Sequence, residues 1–233
     1  LGAAVSDWCP PPHPCGAELQ GRFAWLRPLQ PAADAATLFA QFADSPWVWD
    51  YLGELPPADV AGMQAVLSAW AEIASCEIFA IGAVGAEAPL GYACLMNVTP
   101  TAGDIEIGNV NLSPAMQRRP LATEAFSLML GWAFANGYRR VTWKCNALNV
   151  PSRRAAQRLG FSYEGTFRKH LIVKGRNRDT AWFAMTDDDW KGIGAAHAAW
   201  LSPANFDAAG QQRLSLAVLT APHLFARDPA LEP

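Results

Sequence analysis

Apolar positions recur along this 233-residue chain with two periods, and each change of period marks a change of element. Arg22 to Pro28 alternates as a first strand, and Pro31 to Phe42 reads as a short helix with Leu38, Phe39 and Phe42 on one face. Ala58 to Ile73 predicts a second helix, because Met63, Val66, Leu67 and Trp70 are spaced for one buried face. Glu77 to Val84 and Leu90 to Val98 pair as strands across a hairpin-like Gly85–Pro89 link, and Asp104 to Leu112 adds a third antiparallel neighbour. The pattern then predicts a helix (Leu121–Asn136), a strand (Arg140–Cys145), a helix (Pro151–Leu159) and two strands (Ser162–Val173, Thr180–Met185). Three aspartates open a helix at Asp187 to Trp200, where the helix dipole favours them, and a further helix is expected over Phe206 to Leu219. Residues 1–20 read as an extended proline-rich arm, 21–190 as the main domain and 191–233 as a helical extension.

Composition sharpens this outline. At 51% hydrophobic and 17% charged residues the chain can bury one sizeable core. A net charge of −3 argues against a general nucleic-acid or membrane-surface binder. Thirteen of the 18 Lys and Arg residues, however, lie between Arg118 and Arg178, which favours a small, strongly anionic ligand over a polyanion. Five irregularly spaced cysteines make no disulfide framework; Cys76, Cys94 and Cys145 read as buried thiols. Cys9, His13 and Cys15 lack a second ligand pair and make a poor zinc site. No apolar run reaches the roughly 18 residues of a bilayer span. No secretory leader is expected, so a reduced cytoplasmic setting is.

The most informative stretch runs from Asn109 to Phe161. Two strand-to-helix junctions stand there, one at Gln117-Arg118-Arg119-Pro120 and one at Asn149-Val150-Pro151-Ser152. A helix start exposes backbone N–H groups without intrahelical partners, and with the dipole these attract an anion. Arg118 and Arg119 add bidentate donors, while Pro120 suits the first helical turn, where its missing N–H is not needed. At the second junction Asn149 reads as a cap, and Ser152 as a donor to a developing anion. Arg153, Arg154 and Arg158 along that helix read most simply as solvated charge.

The order strand, Gln117-x-x-x-x-Ala122-Thr123-Glu124-Ala125 helix, strand, Asn149-x-x-Ser152 helix, Leu159-Gly160-Phe161 resembles the GNAT N-acetyltransferase superfamily. More narrowly it is similar to the RimJ/RimL-type branch, as is the hairpin-like stretch Lys174 to Trp182. The resemblance covers roughly residues 20–190. It implies an α/β (α+β) fold, a mixed and mostly antiparallel twisted sheet flanked by helices. It also implies an acetyl-CoA-dependent N-acetyltransferase without a metal. Pyrophosphate would lie on Gln117, Arg118, Arg119, Leu121 and Ala122 beside Thr123, and pantetheine along Val110, Asn111 and Leu112. Asn149, Ser152 and Arg154 complete the implied set, with Ser152 near the thioester. Two positions depart from the family pattern. Pro120 stands where a glycine belongs and removes one N–H donor, and no acid follows Leu159-Gly160-Phe161 within Arg168–Leu171.

Acetyl transfer to an amine needs a proton acceptor, because an ammonium cannot attack. Glu106 is the first candidate, against an outward-facing carboxylate on an alternating strand; His170 is the second, against a surface histidine among basic neighbours. Glu124 reads as a first-turn helix residue held by the dipole, and Trp143 and Trp182 as core. The aromatic segment Ser45 to Pro57 is either a loop packed on the core or a wall of the substrate pocket. The acceptor is an amine on a peptide N-terminus or a small molecule, and a homodimer stays open. A coenzyme-A-binding module with little or no transferase activity is the alternative.

Overall fold

The computed structural model describes residues 2–231; residue 1 and residues 232–233, the ends of the expected arm and extension, lie outside the described residues. Its centre is an eight-stranded sheet in the order β1-β2-β3-β4-β5-β6-β8-β7. The strands are β1 (Leu19–Gln20), β2 (Ala24–Pro28), β3 (Glu77–Ala83), β4 (Pro89–Thr99), β5 (Asp104–Leu112), β6 (Arg140–Asn146), β7 (Ser162–Val173) and β8 (Arg176–Thr186). All neighbours are antiparallel except β5 and β6. This is the mixed, mostly antiparallel sheet flanked by helices that the resemblance implied.

Alternation on the strands assigns the two faces. Ile78 and Ala80 of β3 join Tyr92 and Cys94 of β4 under α1 (Pro31–Phe42) and α2 (Val60–Ala71). Phe79 and Ile81 face the other way, with Leu95, Ile107 and Val141, against α3 (Pro120–Ala135). The α3 helix is apolar on most sides because α5 (Asp187–Leu201) covers the face turned away from the sheet. The α4 helix (Val150–Leu159) stops at Gly160, whose left-handed φ of +100° lets its N–H and that of Phe161 cap the last turn. A Cβ there would stand 2.7 Å from Ile193, so packing also requires the glycine.

Three expectations change. Glu124 lies in the second turn of α3, and its buried carboxylate accepts from the backbone N–H groups of Arg22, Phe23 and Ala24 at 3.0, 2.6 and 2.7 Å. It therefore fastens β2 to α3, and the dipole is not the reason for its presence. Phe206 to Leu219 is not one helix. Asp207 accepts from Ala209 and Gln211 and turns the chain back, so that Phe206 pairs with Gln212. Only α6 (Leu216–Thr220), capped by Ser215, is helical there. Finally, β8 begins at Arg176 and not at Thr180, because Lys174 and Gly175 suffice to turn the hairpin.

Candidate active site

The site forms where β5 and β6 part. They pair only through Asp104, Ile105 and Glu106 opposite Arg140, Val141 and Thr142, and β5 then runs on to Leu112 without β6 beside it. A bulge against β4 accompanies the parting, with Asn109 in the left-handed region at φ +45°. Bulges re-aim a strand and are common beside functional sites. Both helices that follow these strands start at the opened edge, α3 after β5 and α4 after β6.

The entrance to α3 is open. Ser113 accepts from the N–H groups of Met116 and Gln117, and the Gln117 side chain donates to the carbonyl of Leu112 at 2.8 Å. Arg118 then takes a left-handed φ of +60°, a conformation that costs energy for a residue with a side chain. Arg119 stands extended at the cap position and makes no side-chain cap. The N–H groups of Arg118, Arg119 and Leu121 meet no acceptor among the described residues, and Pro120 carries none.

The entrance to α4 is closed. The Asn149 side chain accepts from the Ser152 N–H at 3.1 Å, and its carbonyl accepts from Arg153 at 3.0 Å. The indole of Trp143 donates to the Ser152 hydroxyl oxygen at 3.0 Å, which leaves the hydroxyl proton free to point elsewhere. Three arginines of this helix, read from sequence as solvated, have different fates. Arg153 is buried and grips the fully buried Asp228 with two hydrogen bonds of 2.6 Å, and it also donates to the carbonyl of Ala147. Arg158 is half-buried and donates to Thr123 at 3.0 Å, and burial lowers its pKa. Arg154 alone stays exposed.

A cleft of about 1020 Å³ joins these parts. Val110 to Leu112, Gln117 to Pro120 and the α4 residues Ser152, Arg154 and Arg158 line it. A smaller cavity of about 170 Å³ adjoins it and shares Val110, Asn149 and Ser152. Glu106 and Lys144 line the smaller space.

Comparison with known proteins identifies the arrangement. Residues 24–162 match the acetyltransferase (GNAT) domain. The chain belongs to the GNAT acetyltransferase family. It is similar to a GCN5-related N-acetyltransferase from Brucella melitensis, at 40% identity over 93% of this chain and 100% of that one, with a TM-score of 0.89. It is also similar to a probable GNAT-family acetyltransferase from Chromobacterium violaceum, at 35% identity over 82% of this chain and 96% of that one, with a TM-score of 0.80. RimJ from Mycobacterium smegmatis, solved in complex with CoA-disulfide, shares the fold at 22% identity over 78% of this chain and 92% of that one, with a TM-score of 0.63. No curated protein sequence matches the chain. This GNAT chain is thus an acyltransferase. None of its described helices is long and apolar enough to cross a membrane.

Of the candidate residues in this GNAT chain, Val110, Asn111, Leu112, Gln117, Arg118, Arg119, Ala122, Thr123, Asn149, Ser152 and Arg154 all line the cleft. Leu121 does not; it turns into the core. Glu106 is not outward-facing. It is 3% exposed, accepts from Asn97 at 2.7 Å and pairs with Lys144 at 3.0 Å. Burial raises its pKa, opposed by Lys144 and Asn97. His170 is exposed, bonds Thr180 and lines neither space. The aromatic segment divides between its two readings: Trp49 is core, whereas Trp47, Val48 and Tyr51 line the cleft. Sequence reasoning missed Trp143, Arg158 and the extension residues Trp200, Phe206 and Gln211, which also wall the cleft, and Lys144, which lines the smaller cavity and pairs with Glu106. Trp143 carried a signal, since it alternates with Lys144 and Thr142 on one strand; Gln211 carried none.

Proposed function

We propose that this chain transfers the acetyl group of acetyl-CoA to a primary amine by direct attack, in the manner of the RimJ/RimL-type branch. The observation that carries this reading is the entrance to α3. Its free N–H groups lie in a cleft that four arginines also line, Arg118, Arg119, Arg154 and Arg158, none ion-paired among the described residues. Four cations without carboxylate partners beside an uncapped helix start fit a di- or triphosphorylated ligand. Missing one N–H at Pro120, the loop relies on these side chains more than a glycine loop would.

At the other end of the ligand the smaller cavity receives the amine. Its ammonium form gives one proton to Glu106, whose raised pKa brings it nearer the working range of a general base. The neutral nitrogen attacks the thioester carbonyl, the C–N bond forms and the C–S bond breaks. The second nitrogen proton is matched by one delivered to the leaving thiolate, for which the Ser152 hydroxyl is oriented by Trp143. The free edge of Val110 to Leu112 supplies backbone donors for the carbonyl oxygen.

Isothermal titration with acetyl-CoA, followed by thiol release with a panel of amines and peptides, tests both halves. Binding without release against any acceptor leaves only a coenzyme-A-binding module. Ser152→Ala is expected to lower kcat by about 10-fold or more, within the range of general acid–base effects, with little change in acetyl-CoA affinity. An unchanged kcat removes Ser152 from the proton path.

A further inference from the structure

The smaller cavity holds two acids and two bases among its lining: Glu54, Glu106, Lys144 and Arg178. They are not equivalent. Glu106 and Lys144 pair with each other at 3.0 Å and cancel. Glu54 accepts one hydrogen bond, from the Trp70 indole at 2.8 Å, and makes no ion pair among the described residues. Arg178 makes none either, and its Nε is buried without a hydrogen-bond partner. A buried guanidinium N–H left without an acceptor costs stability, and such a group is common where a ligand completes it. The Nε and one Nη of an arginine form a flat fork that matches the two oxygens of a carboxylate.

Position supports the same reading. Arg178 lies two residues before Thr180, where the β6–β8 pairing ends opposite Asn146, so its side chain borders the space that opens beyond β6. Lys174, at the tip of the same hairpin, donates to the carbonyl of Trp49 at 2.7 Å and draws the hairpin against the aromatic segment that carries Glu54. The volume of this half-open space, about 170 Å³, is well below the roughly 300–1,000 Å³ of a pocket for a drug-sized molecule.

Resting on the acetyl-transfer reading above, we infer that the acceptor is a small free amino acid, whose carboxylate is held by Arg178 while its ammonium faces Glu54 and Glu106 beside Ser152. A zwitterion matches one unpaired cation and one unpaired anion across a small space. A monoamine leaves Arg178 without an acceptor, and a peptide N-terminus brings an amide where the carboxylate belongs.

The test compares four kinds of acceptor at saturating acetyl-CoA, read by thiol release: a panel of free amino acids, their methyl esters, the corresponding decarboxylated amines, and dipeptides with the same first residue. The best amino acid is expected to exceed its ester, amine and dipeptide by about 10-fold or more in kcat/KM, the loss expected when a charged hydrogen bond goes unmade. Arg178→Gln is expected to raise KM for that amino acid by about 10- to 100-fold, to leave its decarboxylated amine unchanged, and to leave acetyl-CoA affinity unchanged. Equal or better use of the amine or the dipeptide by the unmodified protein overturns the inference without recourse to any variant. So does an Arg178→Gln defect of equal size on every acceptor. Failure of acetyl-CoA to bind at all overturns the earlier reading instead, and isothermal titration separates the two.

Discussion

The entrances to α3 and α4 look alike in sequence, each a turn with a proline in the first helical turn and arginines beside it, yet they are opposites in the fold. At α4 the cap is made by Asn149, and Arg153 is locked to Asp228, so the local donors already have acceptors. At α3 no side chain among the described residues caps the helix, Arg118 is held in a left-handed conformation, and three N–H groups meet no acceptor among those residues. One entrance is stabilised by its neighbours and contributes side chains to the cleft. The other keeps a local deficit of hydrogen bonds, which an anion would relieve. A helix start therefore becomes a binding site through what it lacks, and a sequence motif lists only what is present.

Three changes put that contrast at risk. Asp228→Asn should have the largest effect, because it leaves Arg153 buried without its counter-charge; breaking a buried pair costs about 3–5 kcal/mol. For a chain of this size that is a fall in Tm of roughly 10 °C in a thermal melt. A melt within a degree or two of the unmodified protein would mean that α4 is held by other contacts.

Next in size is a pH effect at the far end of the same helix, where His197 donates from Nε2 to the carbonyl of Leu159 at 2.8 Å. Burial lowers its pKa from 6.5 to about 4. The unfolded chain therefore binds the extra proton first. Stability is full above pH 6.5 and is lost as pH falls towards about 4, by about 3 kcal/mol from this residue. Chemical denaturation at stepped pH should show that slope, and His197→Gln should remove it; a slope that survives assigns the acid sensitivity elsewhere.

The smallest effect on the fold, and the one that sharpens the contrast, is Arg118→Ala with Arg119→Ala. Acetyl-CoA should bind about 10- to 100-fold more weakly by titration, as for lost charged hydrogen bonds, while Tm hardly moves. A falling Tm with unchanged affinity would reverse the roles of the two entrances.

Much of this could be read from residues near one another in the chain. Period-2 and period-3.6 patterns located strands β2 to β8 and the long helices, though not the short β1, because side-chain direction repeats within a few residues. The Asn149 cap and the Gly160 stop were legible for the same reason. The failures at the buried charges are non-local. Arg153 and Arg154 are adjacent and identical in type, and Asp228, 75 positions from Arg153, is what separates them. Glu124 owes its place to amides about a hundred residues earlier. The expected 206–219 helix failed because the Asp207 side chain offered the backbone a competing turn, which an apolar period does not register.

Sequence alone thus determined the order of elements, the cluster of positive charge between residues 118 and 178, and the family resemblance that names the ligand class. These rest on local spacing and on which side chains are present. Tertiary structure decided which donors kept no partner. It also brought Trp143 to Ser152, and it set the charges around the small cavity so that the buried Nε of Arg178 has no hydrogen-bond partner among the described residues. Hydrogen bonds and ion pairs are exhausted by whichever groups come within about 3 Å, and only the folded chain determines which those are.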